Sequence, residues 1–70
     1  MNTLTIKDIA KKIEAILEIE SDINISEIIK KINIRDEMVL IAIGFLLRDG
    51  KIYLDEKHLR ITMGFNQFSF

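Results

Sequence analysis

His58 is the only histidine of this 70-residue chain, and cysteine is absent. Imidazole chemistry therefore rests on one side chain, and thiolate chemistry has none. A lone histidine in the charged stretch Asp55-Glu56-Lys57-His58 reads as a solvated turn residue rather than a base or a metal ligand. The adjacent carboxylates Asp36-Glu37 and Asp55-Glu56 have no His or Cys partner at metal-ligand spacing. Ser21, Ser26 and Ser69 have no general base nearby in the chain, and Gly44, Gly50 and Gly64 are isolated, so no phosphate loop is formed. The expectation is a protein that is not an enzyme, with no cofactor, no metal and no small-molecule substrate.

Two other kinds of chemistry remain. Lys30, Lys31 and Arg35 form one basic cluster, and Lys57 and Arg60 a second around His58. Such cations meet phosphate backbones without reading base sequence. Glu27, Asp36, Glu37, Asp55 and Glu56 are interleaved with them, and ten Lys and Arg against eleven Asp and Glu leave a net charge of −1. No bulk field drives the chain onto nucleic acid or an anionic membrane. Any DNA contact is therefore expected to be weak, salt-sensitive and not sequence-specific. The remaining chemistry is apolar. Fifteen isoleucines make a bulky core, and three of the five aromatic residues, Phe65, Phe68 and Phe70, fall in the last six positions.

These residues must be positioned by a single domain, because two would each fall below the roughly 40 residues that a core without staples needs. The first helix is expected over residues 6–19, with Ile6, Ile9, Ile13, Ile16 and Leu17 at helical spacing. Thr5 is its N-cap, Asp8 completes a capping box, and Leu4 and Ile9 sit at the staple positions. Ile23-Asn24-Ile25 alternates as a very short strand. Ser26 then caps a short helix over residues 27–32 that turns Ile28, Ile29 and Ile32 inward. After Asn33-Ile34-Arg35, a third helix covers residues 36–49, with Gly50 at its C′ position. Beyond Gly50 the period drops to two. Residues 51–54 and 59–63 form a hairpin, in which Leu54 opposite Leu59 and Ile52 opposite Ile61 share one face.

Helix, short strand, short helix, tight turn, helix, hairpin is the order of a mainly α, winged helix-turn-helix fold: three helices plus a wing. The domain is expected over residues 1–63, followed by an aromatic C-terminal tail over residues 64–70. No run matches a signal peptide, and the longest apolar run, residues 38–47, is half of the roughly 20 residues a membrane span requires. A cytoplasmic protein without membrane attachment is expected.

Ser26-Glu27-Ile28-Ile29-Lys30-Lys31 and Gly44-Phe45-Leu46-Leu47-Arg48-Asp49-Gly50-Lys51-Ile52 resemble a family of small prokaryotic winged helix-turn-helix proteins of unknown function. Phe45 stands where that family often has Trp, and Asp49 where it has Glu. The resemblance implies a single-domain, cofactor-free and often homodimeric protein, and assigns it no activity.

The third helix separates the functional readings. Val39, Ala42, Ile43 and Leu46 share its core side, while Glu37, Ile41, Gly44, Phe45 and Arg48 lie opposite, flanked by Leu40 and Leu47. Base edges in a major groove are read by Arg, Lys, Asn, Gln, Ser or Thr. The middle of this face offers isoleucine, glycine and phenylalanine instead. Either the tail folds back over it, or two copies pack there with Gly44 allowing close approach. The expected dimer interface comprises Leu40, Ile41, Gly44, Phe45, Phe65, Phe68 and Phe70. The leading expectation is a DNA-associated, regulatory homodimer that touches backbone through Lys30, Lys31, Arg35, Lys57 and Arg60. The alternative is a protein–protein interaction module that uses the third helix and the tail and binds no DNA.

Overall fold

The computed structural model describes residues 4–64. Helix α1 (Ile6–Glu20) begins at the expected reciprocal cap: the Asp8 N–H donates to the Thr5 hydroxyl, and the Thr5 N–H donates to the Asp8 carboxylate, both at 3.1 Å. Its buried stripe is Ile9, Ala10, Ile13 and Leu17, with Leu4, Ile6 and Ile16 packed on the rim of the same core. Ser21 closes the helix at φ +70° and leads straight into β1 (Asp22–Asn24).

The cap of the next helix differs from the expected one. Asn24, not Ser26, caps α2 (Ile25–Ile32): Asn24 Oδ1 accepts the Ser26 N–H at 2.9 Å and the Ser26 hydroxyl at 2.6 Å. Ile25, expected in the strand, is the first helical residue. The chain passes from strand to helix without a loop because the extended backbone of Asn24 (φ −72°, ψ 142°) serves as strand end and as N-cap alike. Ile28 is buried, Ile29 and Ile32 pack beside it, and Lys30 and Lys31 occupy the last turn, where cations complement the helix dipole. Asn33 ends the helix in the left-handed region at φ +57°, which asparagine tolerates well.

Helix α3 (Asp36–Arg48) starts without a side-chain cap, but with Asp36 and Glu37 in its first turn. It ends in a full Schellman motif. The Gly50 N–H donates to the Leu47 carbonyl and the Lys51 N–H to the Leu46 carbonyl, both at 3.0 Å, with Gly50 at φ +73° as expected. The chain turns directly into β2 (Ile52–Asp55), and β3 (Arg60–Met63) returns antiparallel to it.

The hairpin register is shifted by two residues from the expected one. Ile52 faces Met63 rather than Ile61, and Leu54 faces Ile61 rather than Leu59. Because side chains alternate with period two, the inward face survives the shift, and Ile52 and Ile61 are buried. Leu59 is displaced from the strand to the loop, 54% exposed and at φ +53°. Two contacts hold it there. Asp55 Oδ1 accepts the N–H groups of Lys57 (3.1 Å) and His58 (3.3 Å), which closes the loop, and the Leu59 carbonyl accepts the Ile25 N–H at 2.9 Å. Strand β1 joins the other edge of β3, giving a three-stranded sheet of order β1-β3-β2 with Ile23 opposite Ile61.

The core lies between α1, α3 and the inner face of this sheet, with Ile28 of α2 closing one side. Three helices and a small antiparallel sheet, with α2 and α3 as the helix-turn-helix and β2 and β3 as the wing, make the expected winged helix-turn-helix fold. Residues 65–70, including Phe65, Phe68 and Phe70, lie outside the described residues.

Candidate functional site

Helix α3 presents two apolar faces. Val39, Ala42, Ile43 and Leu46 are buried against α1 and the sheet. On the opposite side Leu40, Ile41 and Phe45 keep 49%, 55% and 41% of their surface in water, and Gly44 lies exposed between them. Ile41 and Phe45 are four residues apart and so lie one turn above the other. Leu47, the other expected flank residue, is half-buried against the core. A Cβ on Gly44 would meet no atom within 4 Å, so nothing in the described chain requires glycine there. In a helix-turn-helix this is the position of the groove-reading helix. Between Glu37 and Arg48 its outward face offers no donor or acceptor for a base edge.

The basic residues split into two groups. Lys31 Nζ lies 3.9 Å from Glu20, Arg35 Nε 3.7 Å from Glu37, and Arg60 donates to Asp22 at 2.6 Å. The Asp22 carboxylate holds the Arg60 guanidinium above its ordinary value, helped by Glu27 and Asp55. Exposed pairs of this kind add little stability. Their effect here is to neutralise cations that a phosphate would otherwise meet. Lys30 and Lys57 form no ion pair among the described residues. They are the two expected backbone-binding residues left with uncompensated charge, one on the helix-turn-helix and one at the wing tip. The structure does not gather the five cations into one patch: Lys30 and Lys31 end α2, Arg35 follows the turn, and Lys57 and Arg60 belong to the hairpin.

At the wing tip, His58 Nδ1 donates to Asp55 Oδ2 at 2.8 Å. This bond, more than the backbone N–H groups of the loop, holds the Asp55 carboxyl below its ordinary value. The imidazole is thereby part of a loop closure, exposed and away from any cleft. Among the described residues no group of three or more metal-ligating side chains occurs, and no helix is long and apolar enough to cross a membrane.

One feature escaped the sequence reading. A cleft of about 710 Å³ opens beside the end of α1 and the adjacent strands, lined by Leu17, Glu18, Ser21, Asp22, Tyr53, Thr62 and Met63. Its walls come from segments more than thirty positions apart in the chain, and only the outward alternation of Tyr53 carried any signal of it.

No curated protein and no solved structure matches the chain. With the helix-turn-helix, its wing and the flanking strand β1 in place, the match of residues 1–64 to the winged helix-turn-helix domain DUF2582 concerns the whole described fold, and the chain belongs to that family of unknown function.

Proposed function

We propose that this chain is a non-enzymatic, DNA-associated homodimer of winged helix-turn-helix domains, in which α3 is given to self-association instead of base reading. The single observation carrying the proposal is the outward face of α3, where Leu40, Ile41 and Phe45 are exposed around Gly44 with no base-reading side chain among them. A second copy covering this face removes several large apolar side chains from water, each contributing about 1.5–3 kcal/mol when fully buried. Gly44 lets the two helices approach closely, which offsets the roughly 1 kcal/mol that glycine costs inside a helix. Oligomerisation is a common supplement to a core of this size. DNA association has the support of the fold and of Lys30 and Lys57, whose charges are not compensated. It is expected to be confined to the phosphate backbone and to be regulatory in the general sense of the fold class.

The second reading, a protein–protein interaction module without DNA binding, is favoured by the carboxylates facing Lys31, Arg35 and Arg60. Titration against mixed-sequence duplex DNA at low and at moderate salt separates the two. Binding that falls steeply with salt supports the first reading. No binding at low salt removes DNA and leaves the interaction module. Sedimentation of the protein at high micromolar concentration tests the dimer directly, and a monomer there overturns it.

A further inference from the structure

We infer, resting on the dimer proposed above, that the two copies of α3 meet antiparallel, in the one register that sets Glu37 of each copy against Arg48 of the other.

The outward face of α3 consists of Glu37, Leu40, Ile41, Gly44, Phe45 and Arg48, all of them exposed. At 100° and about 1.5 Å per residue, these six positions have an internal symmetry. Counted from the midpoint between Ala42 and Ile43, Glu37 and Arg48 stand at equal distances along the axis in opposite directions. So do Leu40 and Phe45, and so do Ile41 and Gly44. Glu37, Ile41, Gly44 and Arg48 run along the middle of the face, with Leu40 and Phe45 on opposite flanks. A two-fold rotation that reverses the helix direction therefore lays the face onto its own image, as an isologous contact requires. Ile41 then meets the partner's Gly44, where an added Cβ would have no neighbour within 4 Å. A branched side chain enters an open position, and the symmetry makes this happen twice. Leu40 and Phe45 close the two edges of the contact.

Charge selects the same arrangement. Glu37 lies in the first turn of α3 and Arg48 in the last, about 16 Å apart along the axis. Arg48 forms no ion pair among the described residues, and Glu37 has a loose, exposed one with Arg35 at 3.7 Å. Antiparallel packing brings a carboxylate to each Arg48 and opposes the two helix macrodipoles. Parallel packing would set Glu37 against Glu37, Arg48 against Arg48 and Gly44 against Gly44, leaving the open position unfilled. A slip of one turn within the antiparallel arrangement would set Glu37 against Ile41, or Arg48 against Gly44. Asp36 and Asp49 lie about 110° from the centre of the face and stay outside the contact.

The test is a charge swap in the full chain, read by sedimentation over a concentration series at low salt, with circular dichroism to establish that each variant is folded. Glu37→Arg alone, or Arg48→Glu alone, converts two attractive pairs per dimer into two repulsive ones and should weaken the dimer about tenfold. Glu37→Arg combined with Arg48→Glu should restore it to within about twofold of the parent. Both reversals oppose the helix macrodipole, so any loss of monomer stability accumulates in the double variant while association recovers. In a parallel dimer each single reversal exchanges one like pair for another and changes little. Because the chain has no cysteine, a second arm covers variants that do not fold. Glu37→Cys mixed with Arg48→Cys should form the mixed disulfide faster than either variant alone forms its own. A parent that sediments as a monomer at high micromolar concentration overturns the dimer itself. A dimeric parent with unmoved single variants, with a double variant as weak as the singles, or with faster disulfides between identical variants overturns the antiparallel register and leaves the dimer standing.

Discussion

The two long faces of α3 are built from the same kind of residue and meet opposite surroundings. Val39, Ala42, Ile43 and Leu46 are sealed against α1 and the sheet, whereas Leu40, Ile41 and Phe45 stand in water. The inner face mixes small and branched side chains that interdigitate with the isoleucines of α1. The outer face puts its bulk on either side of a glycine, where an added Cβ would meet open space. Hydrophobicity alone does not tell a core from an interface. The distribution of volume around Gly44 does, because a packed core fills space and an unpartnered face leaves it open.

The strongest test of that difference is Leu46→Ala. Truncating a buried leucine with no room for collapse costs about 2–5 kcal/mol, so urea unfolding should shift far to lower midpoint at every protein concentration. On the other face, Phe45→Glu should leave the monomer folded and abolish association. Loss of one buried phenylalanine per protomer removes about 1.5–3 kcal/mol twice in a symmetric interface, weakening the dimer by about 100-fold or more. The check is sedimentation, together with loss of the concentration dependence of Tm. Asn24→Ala is a control away from both faces: removing the α2 cap should cost about 1 kcal/mol and leave sedimentation unchanged.

Gly44→Ala sharpens the comparison further, because its two expected effects have opposite sign. A methyl group there meets nothing in the monomer. Helix propensity should therefore raise stability by about 0.8–1 kcal/mol in dilute protein. At high concentration the same methyl should weaken a close helix–helix approach. A gain at both concentrations would show that the dimer does not use close contact at Gly44.

Acid gives the smallest effect. The Thr5 backbone N–H holds the Asp8 carboxyl below its ordinary value, and the His58 side chain does the same for Asp55. In the window between the lowered and ordinary values the unfolded chain binds more protons, so stability rises with pH. The contribution is complete above the ordinary aspartate range of about 4, and is lost as pH falls through the lowered values. Thermal scans between pH 5 and pH 2, read in Asp8→Asn and Asp55→Asn beside the parent, should show a shallower acid loss in each variant. The outward face of α3 carries no carboxylate between Glu37 and Arg48. Asp8 and Asp55 lie off that face, so their titration should leave association unchanged.

Much of this arrangement was legible in local pattern. The Thr5–Asp8 box, the buried stripe of α1, the Gly50 stop and the division of α3 into two faces all depend on residues within a turn or two of each other. The misreadings come where one residue has two roles or where a partner lies far away. Asn24 looked like the middle of a strand because its side-chain bond to the Ser26 N–H leaves no periodic trace. Leu59 looked like a strand residue because leucine is apolar. Its left-handed backbone and its carbonyl bond to Ile25, more than thirty residues distant, carry no sequence signature. The shared face of the hairpin was right and its register wrong, since a shift of two preserves alternation. For the same reason the pairing state of Lys31 and Arg60 was invisible: Glu20 and Asp22 are brought to them only by the fold.

The order of the sheet also bears on how the chain comes to be folded as it is made. Strand β3 lies in the middle, yet it is the last of the described elements along the chain. All three helices can be synthesised while the sheet does not exist, because β1 and β2 have no bonding partner until residues 60–63 arrive. Closing β1 onto β3 then spans nearly forty residues, a non-local step that tends to slow folding. During that interval Ile23 and Ile52 lack their cover, and the nascent helices offer apolar surface to other chains. Assembly of the sheet therefore waits for β3, and mutations that weaken β3 should reduce the yield of folded protein more than mutations that weaken either edge.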